Sequence, residues 1–148
     1  MKSINFNGIL PQGSIVALVT PFDTYNNIDY KKLEQLIEWH INEGTDGIVI
    51  LGTTGESPTI SEKEKEQLVN FAAEKINKRT FYIVGSGSND TSHAVLQSKK
   101  FEKTCDALLV ITPYYNKTSQ NGLIAHYSYL ADRVQKPIII YNIPSRTG

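Results

Sequence analysis

The chain has 148 residues, 40% of them hydrophobic, with 15 basic side chains balanced by 15 acidic ones. That length and composition suit one globular domain with its own core, and exclude both a disordered chain and two full domains. Zero net charge with scattered lysines leaves no electrostatic footprint for nucleic acid or an anionic membrane, and the single cysteine, Cys105, excludes an internal disulfide and a multi-cysteine metal site.

Residues 1–13 carry one lysine and no apolar run of seven, so no secretory leader is expected there. Residues 15–20 (IVALVT) are the first of five β-branched runs; the others are 47–52 (GIVILG), 81–86 (FYIVGS), 107–112 (ALLVIT) and 137–142 (PIIIYN). None alternates with polar residues, which is how strands buried on both faces read. The longest apolar stretches, 107–111 and 138–141, fall far short of a membrane span. A reduced, cytoplasmic setting is the expectation.

Helical periods fill the gaps. Residues 29–42 place Leu33, Leu36, Ile37 and Ile41 on one face, with Asp29 as N-cap and Gly44 closing the end. Residues 61–77 open on a capping box, Ser61 with Glu64, before Leu68, Phe71, Ala72 and Ile76. The alternating charges of residues 62–66 read as a solvated helix face. Residues 91–103 carry Ala94, Val95, Leu96 and Phe101; residues 120–134 carry Leu123, Ile124, Tyr127 and Leu130. His40, His93 and His126 fall in different helices without ligand spacing and read as structural, so no metal site is expected. Cys105 reads as a small buried hydrophobe.

Strand and helix repeated four times before a fifth strand is a parallel α/β pattern. A flavodoxin-like doubly wound sheet fits the length. The competing architecture is the (β/α)8 TIM barrel, whose units average about 31 residues. The runs here start 32, 34, 26 and 30 residues apart. The fifth run stops six residues before Gly148 with no helix to cover it. The expectation is therefore roughly the first half of a (β/α)8 barrel, five strands and four helices, in a single domain.

The segments after the strands are rich in chemistry: Thr20-Pro21-Phe22, Gly52-Thr53-Thr54-Gly55-Glu56-Ser57, Gly85-Ser86-Gly87-Ser88-Asn89-Asp90, Thr112-Pro113-Tyr114-Tyr115-Asn116 and Tyr141-Asn142-Ile143-Pro144-Ser145-Arg146. The segments before the strands are plain. Parallel α/β proteins bind ligands at the C-terminal face. Two threonines between Gly52 and Gly55 form either an anion cup of N–H groups and hydroxyls or an ordinary βα turn. The glycines of 85–90 lack the third member of a dinucleotide fingerprint. Adjacent Tyr114 and Tyr115 point different ways, so at least one faces solvent, a partner or a ligand. Tyr141 ends a buried strand, either as a core tyrosine or as a proton carrier. Arg146, in a Pro-Ser-Arg-Thr-Gly loop, is either a surface charge or a carboxylate clamp.

Four motifs at barrel-unit spacing then stand out: Val19-Thr-Pro-Phe22, Gly52-Thr-Thr-Gly-Glu-Ser57, Thr112-Pro-Tyr-Tyr-Asn116 and Tyr141-Asn-Ile-Pro-Ser-Arg-Thr-Gly148. Together they resemble the dihydrodipicolinate synthase family, in the pyruvate-dependent class I aldolase superfamily that also holds the N-acetylneuraminate lyases. Thr53, where those lyases usually carry serine, argues for the synthase branch, as do the tyrosine pair and Arg146. The resemblance implies a lyase that condenses pyruvate, held as a lysine Schiff base, with aspartate semialdehyde on the route to lysine and diaminopimelate. It also implies a homotetramer built as a dimer of dimers, with no separate cofactor and no metal. Tyr141, Thr53 and Tyr115 correspond to a proton relay, with Tyr115 reaching into the neighbouring subunit. Thr54 corresponds to the pyruvate carboxylate binder and Arg146 to the residue holding the semialdehyde carboxylate.

The amine is the departure. In the family the imine-forming lysine ends a sixth strand, beyond the position of Gly148. None of the twelve lysines falls in a strand run, and only Lys117 lies on the rich face. The chain alone is therefore expected to be inactive. Three alternatives stay open: an N-acetylneuraminate lyase-type pyruvate aldolase, a half-barrel that pairs with a copy of itself or a second piece, and a non-catalytic, flavodoxin-like binding domain. The family's lysine effector site corresponds to Ser57, Asn89 and Tyr114. Glu62 and Lys65 replace its usual histidines and His93 its usual acid, so weak or absent inhibition is expected.

Overall fold

A computed structural model of the chain describes residues 11–148. The expected lack of a leader concerns residues 1–13, of which 1–10 lie outside the described residues. Five strands, β1 (Ile15–Ala17), β2 (Gly47–Ile50), β3 (Phe81–Gly85), β4 (Ala107–Ile111) and β5 (Ile138–Tyr141), alternate with helices α1 (Tyr30–Asn42), α2 (Glu62–Ile76), α3 (Thr91–Phe101) and α4 (Gln120–Ala131). The caps are those the residue types dictate. Asp29 accepts the Lys32 N–H at 2.9 Å, and the Ser61–Glu64 capping box is closed. Asp90 caps α3 and Ser119 caps α4.

All strand pairs are parallel and the sheet order follows the chain, β1-β2-β3-β4-β5. This order decides the architecture. A flavodoxin-like sheet reverses direction at a switch point and carries helices on both faces. An unbroken order with right-handed crossovers keeps every helix on one face and curls the sheet around the other. The chain is an α/β half-barrel, and the flavodoxin-like alternative falls.

Register explains why the strands read as continuous apolar runs. Ile48, Ile50, Tyr82, Val84, Leu108 and Val110 face the helices and pack with Leu33, Ile37, Leu68, Ile76, Phe101 and Leu130. Their alternates, Val49, Ile83 and Ala107, pack with Ile15, Phe81, Leu109 and Ile139 on the concave face. Period 2 is present, but both sets are apolar. The outermost strands depart from full burial: β1 is half-buried at best, and Ile140 on β5 is 59% exposed.

Strand and helix ends fall up to three residues inside the expected runs, α4 for instance at Ala131 rather than residue 134, and two differences bear on the site. The first strand ends at Ala17 rather than residue 20. After Leu18 the chain leaves the sheet, and the Thr20 hydroxyl bonds to the Gly55 carbonyl at 2.7 Å. Residues 144–147, expected as a loop, form a short fifth helix, α5 (Pro144–Thr147). Pro144 suits its first turn, and the Arg146 and Thr147 N–H groups reach the Ile143 carbonyl at 2.8 and 3.0 Å.

The face that looked plain has its own chemistry. Asp46 and Asp106 each stand one residue before a strand. The Asp46 carboxylate accepts the Ser14 N–H at 2.7 Å, and that of Asp106 accepts the Tyr82 N–H at 2.9 Å. Each pins the start of the preceding strand to its own, a structural use of the N-terminal face. Among the described residues no helix is long and apolar enough to cross a membrane.

Candidate active site

The loop after β2 is built from two consecutive turns. The Gly55 N–H donates to the Gly52 carbonyl and the Glu56 N–H to the Thr53 carbonyl, both at 3.1 Å. The left-handed residues are Leu51 and Glu56, each at φ 55°, and not the glycines. Gly55 is instead small because it packs against the Leu18 carbonyl and the Thr20 hydroxyl. Among the described residues the N–H groups of Thr53 and Thr54 take no backbone partner. Two successive open amides and two hydroxyls make an anion-accepting edge.

Gly85 shapes the space beside it. A side chain there would run into the Leu51 carbonyl, and one at Gly87 into the Ile111 N–H. The ends of β2, β3 and β4 thus approach closely, leaving a hollow of about 130 Å³ above Leu109 and Ile111. Thr53, Ser57, Tyr114 and Tyr141 line it. A second, wider hollow is lined by Thr53, Pro58, Ile111, Tyr114, Tyr115 and Arg146. Thr53 and Tyr114 border both, so Tyr141 and Arg146 open on adjoining spaces.

The residues singled out from sequence therefore divide. Thr53, Tyr141, Tyr115, Arg146, Ser57 and Tyr114 line one hollow or both. Thr54 is exposed and lines neither, and Asn89 is tied to Asn116 beside them. Among the described residues no hydrogen bond joins Tyr141, Thr53 and Tyr115 to one another. The tyrosine pair splits as its adjacency requires, with Tyr114 half-buried in the hollow and Tyr115 88% exposed.

Three groups in the first hollow were not read as site residues from sequence by spacing: Lys65, Ser88 and His93. The Lys65 side chain is only 14% exposed, which corrects the reading of 62–66 as a wholly solvated face. It also removes Lys117 as the only lysine on this face. The Lys65 ammonium sits 2.8 Å from Glu62. Glu62 in turn touches Gln97 and lies 3.8 Å from His93 Nε2. His93 Nδ1 is 3.4 Å from the Ser88 hydroxyl, so this histidine borders the site and is not merely structural. The signal was positional. The first turns of α2 and α3 follow the rich loops, and a helix that follows a barrel strand begins over the site.

His40 and His126 do fit the structural reading. His40 Nδ1 lies 3.1 Å from the Thr45 hydroxyl. His126 is buried with Nδ1 2.8 Å from the Thr91 hydroxyl. Cys105 is buried, and that burial pushes its thiol up to about 12, away from any nucleophilic role at neutral pH.

The profile of the Dihydrodipicolinate synthetase family matches residues 10–148. The chain belongs to that family. It is 54% identical over 138 residues to the 4-hydroxy-tetrahydrodipicolinate synthase of Thermoanaerobacter sp. (strain X514), a match covering 93% of this chain and 46% of that protein. The crystal structure of dihydrodipicolinate synthase from Aquifex aeolicus superposes with a TM-score of 0.88 at 48% identity, over 92% of this chain and 46% of that one. The chloride-inhibited enzyme of Acinetobacter baumannii, complexed with pyruvate, superposes with a TM-score of 0.92 at 46% identity, over 94% and 48%. The chain spans about half the length of the relatives it matches.

Proposed function

We propose that this chain is the N-terminal half of a 4-hydroxy-tetrahydrodipicolinate synthase, a cytoplasmic lyase that condenses pyruvate with aspartate semialdehyde for lysine and diaminopimelate synthesis. The observation that carries the reading is the convergence of three strand-end motifs on two adjoining hollows. Thr53 borders both, Tyr141 opens on one and Arg146 on the other. Residues 1–148 belong to one barrel domain, and the complete enzyme is a homotetramer of the family's kind.

In this reading two small organic acids are held by separate donor sets. The open amides and hydroxyls of Thr53 and Thr54 take the pyruvate carboxylate, and the Arg146 guanidinium takes that of the semialdehyde. A lysine amine outside this chain attacks the pyruvate ketone, and the oxygen leaves as water. Tyr141 hands protons to and from that centre, with Thr53 and a neighbouring subunit's Tyr115 completing the relay. No metal or separate cofactor takes part. The strands β1–β5 carry no lysine, and the Lys65 ammonium is engaged by Glu62.

Borohydride trapping with pyruvate tests the assignment. The complete enzyme should gain a reduced pyruvyl adduct on a lysine outside residues 1–148, and this chain alone should gain none. An adduct on Lys65 or Lys117, or no adduct on the complete enzyme, overturns it.

Ser57 and Tyr114 of the family's effector site border the first hollow. There Glu62 already holds an ammonium, that of Lys65. Free lysine would compete with a tethered cation for the same carboxylate. Isothermal titration of the complete enzyme should show no micromolar lysine binding.

A further inference from the structure

Tyr115 combines three features that do not belong together in a relaxed loop. It is aromatic, 88% exposed, and held at φ 70°. The Asn116 N–H also donates back to the Tyr114 carbonyl at 2.8 Å. A bond closing over one residue of positive φ makes a γ-turn of the rarer hand, a strained form for any residue but glycine. Such a conformation persists only where its surroundings over-determine it.

The surroundings are specific. The Asn116 amide meets Asn89 twice: its Nδ2 donates to the Asn89 carbonyl at 3.1 Å, and its Oδ1 accepts from the Asn89 side chain at 3.3 Å. On the other side of the turn, the Thr112 hydroxyl lies 2.8 Å from the Tyr127 hydroxyl, which α4 carries. Pro113 stiffens the link between Thr112 and the turn. The γ-turn is thus gripped at both ends, by the loop after β3 and by α4.

We propose that Asn116, with Asn89 as its partner, is a positioning residue that forces Tyr115 into the strained turn and so aims its ring outward from the protein's own loop. The functional consequence rests on the relay role of Tyr115 proposed above; the clamp itself does not. Asn116 touches no substrate in this scheme. It acts through the backbone of its neighbour.

Two measurements on the complete enzyme separate these layers. The first is a thermal double-mutant cycle. Asn116→Ala should lower the melting temperature, and the same change made together with Tyr115→Gly should cost more, because the freed tyrosine backbone relaxes and recovers its strain while glycine, which adopts this backbone freely, has none to recover. An equal or smaller cost in the glycine background overturns the clamp, whatever the activity. The second is kinetic. Asn116→Ala should lower kcat at least tenfold with KM for pyruvate within twofold. Asn89→Ala, which leaves the Asn89 carbonyl in place, should cost clearly less. A kcat for Asn116→Ala within twofold of the parent overturns the positioning role. If the parent enzyme itself shows no condensation, the functional reading fails while the thermal cycle still decides the clamp.

Discussion

Two side chains separate the roles at the scale of single residues. Among the described residues the Tyr141 hydroxyl makes no hydrogen bond, so Tyr141→Phe removes a reactive group without leaving a buried partner unpaired. Stability should change little, while kcat of the complete enzyme falls by roughly 10²-fold or more, the usual worth of a positioned proton carrier. Steady-state kinetics beside a thermal melt checks both halves. Arg146 borders only the second hollow. Arg146→Ala should raise KM for aspartate semialdehyde by about 10- to 100-fold, the worth of a charge-assisted hydrogen bond, and leave KM for pyruvate near its parent value. Arg146→Lys should recover little of this, because a point charge cannot replace a planar fork. Equal effects on both substrates would contradict the separate donor sets.

Elements meet the site through close backbone approach. The Gly85 position lies against the Leu51 carbonyl, a backbone atom that cannot swing aside. Gly85→Ala should therefore destabilise the protein by about 2 kcal/mol, within the range for overpacking a core, or prevent folding. Gly52 is the control. Its nearest neighbour is a Val49 methyl 3.9 Å from where a Cβ would stand, so Gly52→Ala should be close to neutral. Denaturant unfolding of the two variants side by side gives the comparison; a larger loss at Gly52 would contradict the packing described. The residue types of 52–57 announced a tight turn. They did not announce that its left-handed positions are Leu51 and Glu56, because that depends on how β1 and β3 crowd the loop.

For the molecule as a whole, stability should depend on pH through His126. It is only 5% exposed, and among the described residues its Nε2 has no hydrogen-bond partner. Burial pushes its pKa below the ordinary 6.5. The folded state thus keeps the ring neutral at pH values where the unfolded chain protonates it. The stabilisation is fully present above about pH 6.5 and is lost as pH falls through the folded-state value. Melting temperature should drop between pH 7 and 5.5, and His126→Gln should flatten that slope. A slope unchanged by the substitution would place the titration elsewhere. The window lies above the acidic groups held low by partners, Glu38 beside Arg79 and Glu64 beside Ser61, which act only in more acid solution.

The sequence by itself determined the strands, the helices with their caps, the unit spacing and the chemically rich face. Each of these is written in neighbouring residues: apolar periods, a cap three residues before the N–H it accepts, polar clusters after β-branched runs. It also carried the four motifs of the family. Tertiary structure decided the rest. Strand order, which separates a half-barrel from a doubly wound sheet, depends on where each crossover returns, and the apolar runs are alike in both. Lys65 and His93 entered the first hollow because α2 and α3 begin over the strand ends, although their local pattern is that of a surface helix. Tyr115 was visible as one of a pair, but its γ-turn arises from Asn89 and Asn116, 27 residues apart in the chain and joined only when the loops after β3 and β4 come together.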